Sequence, residues 1–300
     1  MSHAPILRIY LHGNMLDTSR AGTFNFMNVL KAAVEGAGWR VEYHETGPQS
    51  RRQAPRRDGY ALFHMESPTH DRALTFRRAY HYPFWQIEPV QQRWRFRVAR
   101  RAFDPQSVDA TAARNFADQL RKRVLPGPAP RRGETILVPL QGHIRRCRSF
   151  QSMSPLDMLD AAAATGRPVV ATLHPRESYD TGDLKALDRL VARHPNLVLG
   201  GDTASILRDC AFVVTQNSAV AFDGYLLGKP AVLFAQIDFH HIGLSAARLG
   251  AAQALAQVET HAPDFDRYLY WFLQDMAINA SRPEAGQRIL AAMQKGGWPI

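Results

Sequence analysis

The sequence predicts an α/β protein built from two Rossmann-like domains, and three observations carry that expectation. Short apolar runs alternate with stretches of helical periodicity, first over residues 6–66 and again, more cleanly, over 135–234. The proline- and glycine-dense stretch PGPAPRRG at 126–133 separates the two alternations. The chain has 300 residues, 45% of them hydrophobic, which is enough for two cores of about 150 residues each. The expected domains are therefore 1–130 and 131–300, the second ending in helices.

In order, ILRIYL (6–11) reads as a buried strand and HGNMLDTSRAG as a polar loop. TFNFMNVLKAAVEGAG has helical spacing and ends in glycines 36 and 38, which suit a helix C-terminus. WRVEYHE and YALFHME (60–66) read as the second and third strands. Residues 67–110 are rich in aromatics and arginine and show no clean period. ARNFADQLRKRVL (113–125) reads as a helix. After the linker come five strands, TILVPL, PVVATLH, NLVLGG, AFVVTQ and PAVLF, separated by helices. Ser154 and Gly166 bound the first of those helices as N-cap and C-cap. Beyond residue 245 the pattern is helical. Such alternation makes a parallel, doubly wound sheet, in which ligands bind beyond the carboxyl ends of the strands.

Bulk properties remove several function classes. The net charge of +10 comes mostly from arginine, clustered at 51–57, 93–101, 121–123 and 145–148. That suits an anionic substrate or a peripheral contact with an anionic inner-membrane face. Nucleic acid is disfavoured as a partner, because no cluster lies in a recognisable nucleic-acid module. No apolar run spans a bilayer, MSHAPILRIYLHGN lacks the plan of a secretory signal, and Cys147 and Cys210 make no disulfide framework. A cytoplasmic location is expected. No GxGxxG follows the first strand, and there is no GxxxxGK[ST] and no GxSxG, which disfavours dehydrogenases, P-loop NTPases and α/β-hydrolases. No metal is expected: His240 and His241 are adjacent in sequence and lack a suitably spaced third ligand.

The polar residues of the second half gather after its strands. Gln141, His143, Arg145 and Arg146 follow the first; His174, Arg176 and Glu177 follow the second; Gln216, Asn217 and Ser218 follow the fourth and open a helix. A helix start offers free N–H groups and the positive end of a dipole, so this rim suits a phosphate or diphosphate. Each residue alone also has a plain explanation, as a cap, a turn or a solvated charge. Their shared rim carries the argument.

Four segments in this half resemble the bacterial capsule polysaccharide biosynthesis proteins, a family that includes β-Kdo transferases using CMP-Kdo. They are ILVPLQ, TLHPRE, SILRDCAFVVTQNSAVAFDGYLLGKPAVLF (with Ser218, Phe222, Gly228 and Lys229 in register) and AQIDFHHIGL, together spanning about 135–245. The resemblance implies a GT-B-like fold, two Rossmann-like domains facing across a cleft, and a glycosyltransferase of capsule or surface polysaccharide synthesis. It implies a nucleotide-sugar co-substrate such as CMP-Kdo, no other cofactor, and a glycan or glycolipid acceptor. Gln141, His174, Ser218 and Asp223 would then line the donor site, with Arg145 and Arg176 facing the leaving phosphate. The chain departs from the family in its basic residues after Gln141, in Ala221 where the family has glycine, and in lacking a lysine before His174. The N-terminal Glu-Asp-Gly-Phe-Leu-Arg segment is not visible either.

In the first half, Glu66, at the end of the third strand, is a candidate general base, and His174 is the candidate catalytic residue of the second. A carboxylate paired with a nearby arginine is the plain alternative for Glu66. The departures motivate a second function, a catalytically silent relative that binds nucleotide sugar or glycan as a scaffold. A sugar-nucleotide epimerase of the same architecture is a further enzyme reading.

Overall fold

The computed structural model describes residues 4–300. Twelve strands are present among them: β1 (Ile6–Leu11), β2 (Arg40–Glu45), β3 (Tyr60–His64), β4 (Ala73–Arg78), β5 (Phe84–Glu88), β6 (Ile136–Pro139), β7 (Val169–Thr172), β8 (Leu197–Leu199), β9 (Phe212–Thr215), β10 (Ala231–Leu233), β11 (Leu244–Ser245) and β12 (Ile278–Asn279). They form two sheets in two compact units. Met1–Arg101 with Phe272–Ile300 make the first unit and Ala102–Trp271 the second.

The first sheet has the order β12-β5-β4-β3-β1-β2. Strands β1 to β4 run parallel, while β5 pairs antiparallel with both β4 and β12. Strands β4 and β5 arise from the tract where the sequence shows no period. Ala73–Phe76 and all of β5 are buried on both faces, the polar Thr75, Gln86 and Glu88 among them. The expected polar loop after β1 is instead a helix, Gly13–Arg20. Its hydroxyls turn inward, Thr18 donating to the Asn14 carbonyl (2.7 Å) and Ser19 to that of Met15 (2.6 Å), so a polar sequence holds a helical turn. Helix Asn25–Gly36 packs Phe26, Met27, Leu30 and Val34 on the sheet, and Phe26 stacks on Trp85 at 4.4 Å.

The second sheet is parallel throughout, with the order β11-β10-β9-β6-β7-β8. It contains the five expected strands and adds β11, two residues long. Its core runs from Ile136 and Val138 through Phe212, Val214 and Val232 to helices Pro155–Ala163 and Ala251–Gln257.

The unit boundary falls at 101/102, not at the expected 130/131, and the chain returns to the first unit after Trp271. Helix Ala110–Val124 belongs to the second unit because Arg121 donates to the Leu226 carbonyl and pairs with Asp266 at 3.8 Å. The proline-rich stretch is fastened there as well. Arg208 donates to the carbonyls of Leu125 (3.1 Å), Pro126 (2.9 Å) and Pro128 (2.7 Å). The C-terminal helix Ala285–Lys295 returns Ile289 and Met293 to the first core.

Candidate functional site

In the second sheet the chain steps outward from β6 to β7 and β8, then crosses back to place β9 on the other side of β6. The crevice beyond the carboxyl ends of β6 and β9 is thus the switch point where a doubly wound sheet takes its ligand. A cavity of about 320 Å³ lies there, lined by Gln141, Gly142, His143, Arg148, Phe150, Glu177 and Asn217.

Local structure explains each wall. Gln141 to His143 leave β6 directly, and His143 holds a left-handed backbone conformation (φ 59°). That conformation is costly for a residue with a Cβ and is found most often where function demands it. Gly142 has no Cβ, which lets the Glu177 carboxylate lie over it; an added Cβ would stand 2.3 Å from Oε2. Arg148 and Phe150 are placed by a short antiparallel bridge between Gln151 and Ala235. The Ser152 amide donates to the Phe234 carbonyl (2.8 Å) and the Gln236 amide to that of Phe150 (2.8 Å). The Arg148 guanidinium lies 4.8 Å from the Phe150 ring centre. Its Nε is buried without a hydrogen-bond partner among the described residues. A buried unsatisfied donor costs about 1–3 kcal/mol.

Of the residues expected from sequence, the structure brings Gln141, His143 and Asn217 into this cavity, and the others lie outside its lining. Thr215 and Ser218 serve the chain itself. Thr215 Oγ1 donates to the Pro139 carbonyl (3.4 Å), and Ser218 Oγ caps helix Ala219–Leu226 by accepting from the Val220 amide (3.3 Å). Gln216 is buried and donates to the Met153 carbonyl (3.1 Å), bracing the loop that carries Phe150. Asp223 sits half-buried one turn into the helix. Arg176 is exposed on the loop after β7, and its backbone amide donates to Nδ1 of His174 (3.2 Å). With Nδ1 accepting, a neutral His174 carries its proton on Nε2 and presents a donor there.

Arg145 is placed differently from the expectation. Its Nη2 meets Asp180 Oδ2 at 2.6 Å and its Nε meets Asp183 Oδ1 at 2.6 Å, so its charge is spent on two carboxylates. The Arg145 hydrogen bond is the main cause that holds the Asp183 carboxyl below its usual range. Arg148 and Phe150 are the cavity side chains that sequence reasoning did not select, while Glu177 was placed on the rim without a role. Arg148 showed only as part of a basic cluster, and the bridge that turns it inward joins segments about eighty residues apart.

Gly228 and Lys229, in register with the resemblance, lie before β10 at the amino edge of the sheet, away from the cavity. Lys229 is buried, and its Nζ donates to the carbonyls of Cys210 (2.7 Å) and Arg131. Burial lowers its pKa. This segment fastens the fold.

In the first unit the equivalent crevice lies beyond β1 and β3, where His12 and Glu66 are found. Glu66 Oε2 accepts from Thr46 Oγ1 (2.7 Å) and Arg51 Nη1 (2.8 Å), and His12 Nε2 is 3.6 Å from Oε1. Burial resists its ionisation, but the two hydrogen bonds and the Arg51 charge prevail and leave the carboxyl below its ordinary pKa. Nearby His64 is pushed down to about 4, first by burial and then by the charges of Arg77, His12 and Arg78.

Among the described residues no helix is long and apolar enough to cross a membrane, and no group of three His, Cys, Asp or Glu could hold a metal ion. No protein-family model and no curated protein sequence matches the chain. Among solved structures the chain is similar to the KpsC β-Kdo 2,7-transferase of Thermosulfurimonas dismutans, with a TM-score of 0.54 at 12% identity, covering 97% of this chain and 99% of that one. It is more distantly similar to MnaA of S. aureus, solved with UDP, at a TM-score of 0.37 and 11% identity over 95% of each chain. The KpsC likeness shows the fold: an α/β chain of two Rossmann-like domains on the GT-B plan of glycosyltransferases.

Proposed function

We propose that the chain is a glycosyltransferase of capsule or surface polysaccharide synthesis. It takes a nucleotide-sugar donor into the cavity of the second unit and passes the sugar to a glycan or glycolipid acceptor. The carrying observation is the switch-point cavity, whose wall brings Gln141, His143, Arg148, Glu177 and Asn217 together beyond β6 and β9. Its volume of about 320 Å³ suits one nucleotide. Arg148 is the firm positive charge, His143 a second titratable donor and Glu177 the one carboxylate. That balance suits a single phosphate better than a diphosphate, which supports a CMP-linked sugar such as CMP-Kdo.

In this reading Arg148 and His143 stabilise the charge that grows on the departing phosphate, as preorganised groups do in many transfer reactions. The amides of Gln141 and Asn217 orient the nucleotide, Glu177 accepts from ribose hydroxyls and Phe150 supplies an apolar wall. No metal is needed in this scheme. His174 acts as a donor through Nε2, not as a base. Glu66 is the carboxylate of the first unit best placed to face an acceptor hydroxyl. The enzyme would work in the cytoplasm, its basic surface meeting the inner membrane peripherally.

The ion pair on Glu66 favours one rival, a binding protein without turnover, because a carboxylate held below its usual pKa is a weak base. Incubation with CMP-Kdo, with and without glycan acceptors, separates the two by NMR detection of released CMP. Transfer or donor hydrolysis supports the enzyme. Tight binding without release of CMP would move the assignment to the scaffold. Unchanged affinity in Asn217→Ala would remove the cavity from either account.

A further inference from the structure

The cavity has two walls that come from different crossovers. One is the loop after β6, with Gln141 to His143; the other is the loop after β7, which contributes Glu177. Arg145 joins them. It leaves the first loop and enters the start of helix Thr181–Arg193, which ends the second. There Asp180 and Asp183 form a reciprocal capping box: the Asp180 carboxylate accepts the Asp183 amide (2.8 Å), and the Asp183 carboxylate accepts the Asp180 amide (3.2 Å). The guanidinium spans both carboxylates, Nη2 lying 2.8 and 2.6 Å from the two oxygens of Asp180 and Nε 2.6 Å from Asp183.

Three further features show that the arrangement is specific. Gly182 stands between the acids, and a Cβ there would come within 2.9 Å of the guanidinium carbon, so glycine clears the path. Asp183 is buried, and the Arg145 hydrogen bond above all holds its carboxyl below the usual range, with a small contribution from His143 of the cavity wall. The same loop is gripped again where Tyr179 Oη accepts from the His174 amide (3.0 Å).

We propose that Arg145 is a positioning residue. It clamps the loop after β6 to the loop after β7 and neutralises the two carboxylates that cap the following helix, without touching the ligand. The proposal rests on the nucleotide reading of the cavity for its effect on binding, but not for the clamp itself.

The test is a mutant cycle on CMP affinity with Arg145→Gln and the pair Asp180→Ala and Asp183→Ala, alongside hydrogen exchange of the two loops. Arg145→Gln should weaken CMP binding about tenfold, and Arg145→Lys should restore part of it. With Asp180→Ala added to Asp183→Ala, so that neither carboxylate remains for the guanidinium, the same change should cost less than about twofold, since coupled residues are not additive. Equal losses in both backgrounds would mean that Arg145 contacts the ligand directly, and would overturn the proposal. Gly182→Ala, which displaces the guanidinium without altering charge, should act in the same direction as Arg145→Gln. Amides across 141–148 and 173–183 should exchange about tenfold faster together in Arg145→Gln. Faster exchange in one loop alone, or in neither, refutes the clamp. If the wild-type protein binds no CMP, the nucleotide reading fails while the exchange result still decides the clamp.

Discussion

Replacing Arg148 by methionine should make the free protein no less stable and the nucleotide complex much weaker. In the free protein Arg148 Nε is buried and unsatisfied, at a cost of about 1–3 kcal/mol. Methionine keeps the apolar stem and removes that donor. The change forfeits the contact of the guanidinium with the Phe150 ring, about 0.5–1 kcal/mol at such a site. The loop keeps its anchor, because the Arg148 backbone amide and not its side chain donates to Gln151 Oε1 (2.7 Å). The net effect on the free protein is thus between zero and about 2.5 kcal/mol of added stability. At about 2–4 °C per kcal/mol for a unit of this size, that raises the melting temperature by up to about 10 °C. In the complex, a lost charge-assisted hydrogen bond to phosphate is worth about 1.5–3 kcal/mol, or roughly 10- to 150-fold in Kd. Differential scanning fluorimetry of the free variant and calorimetric titration with CMP give the two numbers. A variant that melts lower yet binds CMP as well as wild type would refute the reasoning on both counts.

Other expectations follow from buried charge. Lys229→Met should leave the buried Cys210 carbonyl and the part-buried Arg131 carbonyl without that donor and cost roughly 1–3 kcal/mol, with CMP affinity unchanged because the residue lies at the far edge of the sheet; weakened binding at full stability would restore a functional role to the Gly-Lys segment. His64 binds its proton at about 4 when folded and near 6.5 when exposed, so the folded state holds fewer protons between those values. Its contribution, roughly 3 kcal/mol at most, is present in full above pH 6.5 and lost as pH falls to about 4. Urea melts should show wild type losing stability relative to His64→Phe as pH falls from 6.5 to about 4, and parallel pH profiles would contradict this. Arg51→Gln should lift the Glu66 pKa toward its ordinary range, read by carboxyl NMR; an unmoved titration would show that Thr46 and burial alone set it.

Parallel strands with polar residues at their ends were legible in the sequence, because alternation fixes which loops share a rim. That reasoning brought Gln141, His143 and Asn217 to one cavity. It could not choose among Arg145, Arg146 and Arg148. The choice depends on Asp183, thirty-eight residues away from Arg145, and on a bridge to Ala235 that no local pattern announces. Nor could it separate capping from binding within Thr215 to Ser218, where three side chains turn to the protein and Asn217 lines the cavity. Strands β4 and β5 carry the alternations Leu74-Thr75-Phe76-Arg77 and Trp85-Gln86-Ile87-Glu88, but these runs are too short to stand out among the surrounding arginines and aromatics.

The central claim is that the second unit holds a nucleotide at its switch point. Thermal shift of the wild-type protein against CMP, UDP, GDP and ADP tests it most directly. CMP at about 100 times its dissociation constant should add roughly 2.7 kcal/mol of stability, a rise in melting temperature of about 5–10 °C. UDP or GDP acting in its place would keep the site and change the donor; no shift from any nucleotide would contradict the claim.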